Sequence, residues 1–206
     1  VIDLMYLEKY PKGNIESNLK KYNPGHLGTS LSVNFLLANL YYFLNKYNIK
    51  SQSVIGTGHS ATALISNLWL NGTLKEYYKE YSSDIEGLNN LIKDFGTKLR
   101  SEINPQYPET IYDGGELGYS LGVAYGYALD TDASLVPCII GDGEAETGTL
   151  SSAWQLNKIL KMKSKVLPII NLNGLKMGSK SYLSLLTNNE LINLFSSFGY
   201  NVNIVD

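Results

Sequence analysis

Residues 135–148 read LVPCIIGDGEAETG. Six apolar residues run without a break into Gly141, an aspartate, a second glycine and then two further carboxylates, Glu144 and Glu146. An apolar run bounded by glycine is the pattern of a strand buried on both faces, and such strands belong to parallel sheets. The carboxylates follow where a helix would begin. Two explanations compete there: the acids cap the helix and offset its dipole, or one of them ligates a cation.

Outward from this point the pattern repeats. VLPIINL at 166–172 is a second apolar strand, with a helix expected over about 149–160 between the two. SVIGTGH at 53–59 is a short strand meeting a glycine turn, and residues 31–47 carry apolar side chains at helical spacing. Further helices are expected at 61–70, 74–81 and 84–101, the last interrupted at Gly96. In GYSLGVAYGYAL, 118–129, small residues three and four apart would let a helix lie close against a sheet or another helix. Residues 190–206 read as helix then strand. This alternation predicts an α/β fold, doubly wound, with a mostly parallel sheet and helices on both faces. The whole of 1–206 reads as one domain, with 1–23 as an N-terminal extension. Folds of this kind bind ligands at the carboxyl ends of their strands.

Composition narrows the function. The chain has 206 residues, 44% hydrophobic and 17% charged, with a formal net charge of -2, which offers no basic footprint for nucleic acid or an anionic membrane. Its uninterrupted apolar runs fall far short of the roughly 20 residues of a membrane span. The start, VIDLMYLEKYPKGN, lacks the order of a signal peptide, so a cytoplasmic location is expected. The single cysteine, Cys138, lies within the strand pattern and is expected to be a buried, inert thiol.

Asp142 ends one apolar strand, and Asn171 and Asn173 end the next. Parallel neighbours would bring Asp142 within a few ångströms of one of those asparagines. A carboxylate oxygen beside an amide oxygen suits magnesium or calcium rather than zinc. The glycine turn and helix start would supply backbone donors to phosphate oxygens.

These residues also carry a resemblance. GDGEAETGTLSSAWQLNKIL followed by VLPIINLNG is similar to the diphosphate-binding motif of thiamine-diphosphate enzymes, and most of all to phosphoketolases. PGHLGTSLSVNF at 24–35, GTGHSATALISNLWLNGTLKEYY at 56–78 and YPETIYDGGELGYSLGVAYG at 107–126 each resemble the corresponding phosphoketolase segment. Transketolase is the more distant likeness. The resemblance implies thiamine diphosphate and Mg2+ as cofactors, the metal being held by the side chains of Asp142 and Asn173 and the carbonyl of Leu175. Gly141, Gly143 and Glu144 would approach the diphosphate, with Gly115, Glu116, Leu117 and Gly118 as a second wall. His26 and His59 would be the catalytic pair facing thiazolium and sugar. The implied reaction cleaves a ketose phosphate, of the xylulose 5-phosphate or fructose 6-phosphate type, to acetyl phosphate and an aldose phosphate.

Two departures qualify what the resemblance implies. Tyr112 stands where phosphoketolases carry a histidine before GGELG, and a phenol does not shuttle protons near neutral pH as imidazole does. The chain also matches only the first domain of that family. A pyrimidine-domain chain, or the remainder of the same polypeptide, is therefore the expected partner, in a homo- or hetero-oligomer. The chain alone is expected to be inactive. A split transketolase-like transferase and a non-catalytic binding protein that keeps the fold are the alternatives.

Overall fold

The structure is a computed structural model that describes residues 1–10, 19–22 and 24–205. The expected N-terminal extension therefore falls partly outside the described residues. The chain divides into two compact units, Val1–Asn48 with Gly58–Gly115, and Ile49–Thr57 with Glu116–Asp206.

The first unit is helical. Helix α1 (Ile2–Tyr6) buries Leu4 and Met5, and α2 (Leu27–Lys46) buries Val33, Leu37, Leu40 and Leu44 along one stripe. That stripe meets α3 (Ala61–Leu70), a helix buried on nearly every side, which a short 3-10 turn at Gly58–Ser60 introduces. Polar bonds fix the crossing: Thr62 Oγ1 donates to Ser30 Oγ at 2.6 Å, and Asn67 Nδ2 to Asn34 Oδ1 at 2.9 Å. Helix α4 (Thr73–Tyr77) is shorter than its sequence pattern. Helix α5 (Ile85–Asp94), capped by the Asp84 side chain, stops well before the expected residue 101. The chain leaves the helix at Phe95, which is extended at ψ 124°, and turns at Gly96, whose φ of +84° is one that glycine tolerates best.

Helix α2 has 20 residues and an 18-residue window of mean hydropathy 1.2, long and apolar enough to cross a membrane, and 28% of that window is buried. Counting uninterrupted apolar runs missed this because serines and asparagines are interleaved along it. Core helices share the same composition.

The second unit holds the sheet. Strands β1 (Val54–Ile55), β2 (Leu135–Gly141) and β3 (Lys165–Asn171) are parallel in the order β1-β2-β3, pairing Ile55 with Ile139 and Gly141 with Asn171. This is the expected α/β, doubly wound class. β2 is buried along its centre as its apolar run demands, whereas β3 is only partly covered. Helix α6 (Ser120–Ala128) packs on all three strands through Leu121, Ala124, Tyr125 and Ala128. Its glycines are not what permits that approach, because a Cβ on Gly122 or Gly126 would meet nothing within 4 Å.

After β2 comes a short helix, α7 (Asp142–Ala145), and the helix expected over 149–160 is broken into α8 (Gly148–Ala153) and α9 (Leu156–Ile159). Thr147, in extended conformation, separates the first two, and the indole of Trp154 donates to the Ala145 carbonyl. A small hairpin of β4 (Leu175–Lys176) and β5 (Ser179–Lys180) follows β3. Helix α10 (Asn188–Ser197) opens on a capping box of Thr187 and Glu190 and packs Phe195 against Trp154. The expected closing strand is absent among the described residues: 201–205 have no strand neighbour, and most of their side chains face solvent.

Candidate functional site

Parallel pairing in register brings the carboxyl ends of the three strands to one edge of the sheet. Gly56 and Thr57 leave β1 there, Gly141 and Asp142 leave β2, and Asn171 through Gly174 leave β3.

Asp142 is 2% exposed and its two oxygens are held by three donors. Oδ2 accepts from the Gly174 N–H at 2.8 Å and from the Ser181 hydroxyl at 2.6 Å, and Oδ1 accepts from the Gly143 N–H at 3.0 Å. The bond to Gly174 draws the segment after β3 against the turn after β2. Asn173 is thereby beside the aspartate in the chain path, with its own Oδ1 accepting from the Leu175 N–H at 2.9 Å. Both side chains present oxygen, and each retains lone-pair capacity beyond these bonds. Leu175 is exposed at the start of β4. Among the described residues no three His, Cys, Asp or Glu side chains cluster to hold a metal. A cation at Asp142 would thus complete its shell from amide, carbonyl, phosphate or water oxygens, which is magnesium's habit.

The glycines flanking Asp142 are required by the chain itself. A Cβ on Gly141 would come within 3.0 Å of Thr57 Cγ2, and one on Gly143 within 3.2 Å of Lys176 Cβ. Lys176 therefore lies over the turn, and its ammonium pairs with Glu146, which also accepts from the Tyr182 N–H. Partial burial opposes ionisation of Glu146, but Lys176 and that N–H prevail and its pKa is lowered. Neither Lys176 nor Ser181 was singled out from the sequence, and no spacing rule would have found them.

Glu144 plays a different part from Asp142. It is equally buried, and its Oε1 accepts from the Ser120 hydroxyl at 2.6 Å and the Gly118 N–H at 3.2 Å, while Oε2 has no hydrogen-bond partner. Burial raises its pKa, against the pull of those donors. A side chain on Gly56 would fall on this carboxyl group, so β1 must end in glycine. Gly118, at φ +104°, has its carbonyl held by Thr149 Oγ1 at 2.7 Å, and a Cβ there would sit 2.6 Å from Thr147 Oγ1. The carboxyl of Glu144 thus ties the start of α6 to the turn after β2. Glu116 and Leu117, just before Gly118, are exposed. Cys138 is buried in β2, and burial followed by the charge of Glu144 pushes its thiol pKa up, as an inert thiol requires.

The remaining candidates lie in the helical unit. His26 caps α2, its Nδ1 accepting from the Thr29 N–H at 3.3 Å, which leaves Nε2 to carry the proton of the neutral ring. Half-buried His59 sits in the 3-10 turn, and the two rings meet edge to face with centroids 5.4 Å apart. Burial, then the neighbouring His26, lower the pKa of His59. The two glycine motifs of this unit brace each other through Ile103, whose N–H donates to the Gly58 carbonyl at 2.8 Å and whose carbonyl accepts from the Gly114 N–H at 2.9 Å. Exposed Gly115 donates to Asp113 Oδ1 at 3.3 Å, and Tyr112 is buried.

Comparisons with known proteins agree on one family. The family profile described as "XFP N-terminal domain" matches residues 2–206. A protein of Schizosaccharomyces pombe named a probable phosphoketolase is 38% identical over 202 residues, which is 96% of this chain and 24% of the relative. Probable phosphoketolase 1 of Rhizobium meliloti is 40% identical over 180 residues, covering 85% of this chain and 23% of the relative. A probable phosphoketolase of Nitrosomonas europaea is 38% identical over 186 residues, 88% of this chain and 24% of the relative. The chain thus spans about a quarter of the length of the curated relatives it matches. With the profile matched along almost all of its residues, the chain belongs to the phosphoketolase family, as that family's N-terminal domain.

Proposed function

We propose that this chain is the diphosphate-binding domain of a thiamine-diphosphate- and magnesium-dependent phosphoketolase, working in the cytoplasm on ketose phosphates of the xylulose 5-phosphate or fructose 6-phosphate type. The products would be acetyl phosphate and an aldose phosphate. The observation that carries the reading is buried Asp142 at the carboxyl edge of the parallel sheet, bonded across to the Asn173-Gly174 segment. Asp142 and Asn173, with the Leu175 carbonyl, would hold the metal. Thiamine diphosphate supplies the carbanion chemistry when bound.

The chain's own residues then have distinct tasks. Asp142 is fixed by three donors before any ligand arrives, so it loses little freedom on binding a cation. Glu144 holds Gly118 and Ser120 at the start of α6 without facing the ligand. His59, its pKa lowered, stays neutral at physiological pH and can take a proton from a sugar hydroxyl. His26 offers its Nε2 proton as a hydrogen-bond donor. A pyrimidine domain, from the rest of the polypeptide or from a partner in a homo- or hetero-oligomer, would complete the site, and the domain alone would be inactive.

Titration with thiamine diphosphate and Mg2+, with and without a pyrimidine-domain companion, tests this. Cofactor binding that depends on magnesium and is weakened about 100-fold by Asp142→Ala is the expected result. Magnesium-independent binding, or none in either arrangement, would sink it. Tyr112 favours a second reading, a transketolase-like two-carbon transfer, because a buried tyrosine replaces the family histidine tied to the dehydration step. Product analysis with the companion separates the two: acetyl phosphate supports the first, transfer to an aldose the second.

A further inference from the structure

The helical unit contains a cleft of about 580 Å³ that includes none of the candidate site residues above. Among the described residues, four lysines, Lys9, Lys20, Lys21 and Lys93, line it with one carboxylate, Glu8. That is a local excess of positive charge in a chain whose total is -2. Lys20 is the residue that asks for an explanation. It is half-buried, and its Nζ donates to the carbonyls of Leu4 at 2.8 Å and Phe95 at 2.9 Å, with the Phe95 ring 5.6 Å away. Backbone carbonyls accept its protons without neutralising its charge. Among the described residues no carboxylate forms an ion pair with it, and burial lowers its pKa to about 8 despite the influence of Glu8.

Partly buried charge without a counter-ion is costly, and an anion entering the cleft would relieve that cost. Two of the three ammonium protons of Lys20 are used by the carbonyls, so one remains to meet a ligand oxygen. Lys9, Lys21 and Lys93 are exposed around it, free to turn toward several charges at once. Lysine is a compact point charge that suits phosphate without demanding one orientation. We propose that this cleft binds a small phosphorylated anion carrying at least two negative charges, through Lys20 at its floor and Lys9, Lys21 and Lys93 at its rim.

The test is calorimetric titration of the protein with inorganic tripolyphosphate at low ionic strength, with neither magnesium nor thiamine diphosphate present. Saturable binding is expected, weakened about 10-fold or more by the triple variant Lys9→Gln, Lys21→Gln, Lys93→Gln and similarly by Lys20→Met. A control triple with equal charge loss, Lys161→Gln, Lys163→Gln, Lys165→Gln, should lose less than about 2-fold. Asp142→Ala should leave the binding unchanged, so this proposal and the cofactor assignment can fail separately. Absence of saturable binding overturns the proposal. So does equal loss in both triples, which marks a general charge effect, or loss in Asp142→Ala, which places the anion at the sheet edge. If Lys20→Met does not fold, the rim triple decides alone, since its three side chains are solvent-exposed.

Discussion

The turn after β2 and the histidine pair of the helical unit are both marked by glycine in the sequence, yet they are held in different ways. In the turn, Asp142 and Glu144 are each 2% exposed and fixed by side-chain and backbone donors from distant segments. In the helical unit, His26 is exposed and its ring nitrogen accepts from the Thr29 N–H in the first turn of its own helix. Under the proposed function, the group that would hold a metal is built into the core, whereas the groups that would exchange protons are less buried. Substitutions should therefore cost stability in the turn and reactivity at the histidines.

The largest stability effect is expected from Glu144→Ala. It strands the Gly118 N–H and the Ser120 hydroxyl and opens a cavity, so denaturant unfolding should show a loss of about 3 kcal/mol. A loss below about 1 kcal/mol would mean that Glu144 does not tie α6 to the turn. Asp142→Ala should cost about 2 kcal/mol, because the Gly174 N–H and Ser181 hydroxyl lose their acceptor. Its effect on cofactor binding should be larger than its effect on folding. Gly118→Ala combines a positive φ with a Cβ close to Thr147 and should cost about 1–2 kcal/mol, read as a shift in the denaturant midpoint.

The smaller effects belong to the histidines. His26→Ala removes the cap on α2 and should cost about 0.5–1 kcal/mol with no change at the sheet edge. For His59 the folded pKa lies below the unfolded value, so the unfolded state takes up its proton first as pH falls. Stability should therefore decline as pH drops below about 6.5, through the window down to the folded pKa. His59→Gln should abolish that slope. Glu144 has the opposite sign: its raised pKa makes its contribution greatest below about 4.5 and diminishing as pH rises toward the folded value. Unfolding curves across pH for the two single variants would separate these opposed slopes and so break or sharpen the contrast between the regions.

Much of this was legible beforehand. Apolar runs of strand length placed β2 and β3, and the glycine-aspartate-glycine turn placed Asp142 at the sheet edge. The misplaced elements share a cause. The helix expected over 84–101 with an interruption at Gly96 ends at Asp94, because Phe95 is already extended, and does not resume after the glycine. The helix expected over 149–160 is interrupted at Trp154 and Gln155, between α8 and α9, and extended Thr147 parts it from the short helix at Asp142, where Glu146 is engaged by Lys176 and Tyr182 some thirty residues on. Small residues three and four apart marked α6 as a packing helix, and Ser120, Ala124 and Ala128 are buried with Leu121 and Tyr125, while Gly122 and Gly126 have open space around them.

Local order in the chain was therefore enough to establish the α/β class, the parallel strands, the family likeness and the position of the acidic turn, because hydrophobic periodicity and turn chemistry act over a few residues. Only tertiary structure could decide that Asp142 is held by Ser181 and Gly174, that Glu144 faces inward to Ser120, and that four lysines from three segments share one cleft. Those outcomes depend on which distant donors and charges meet once the chain is packed. Burial then sets what each contact is worth.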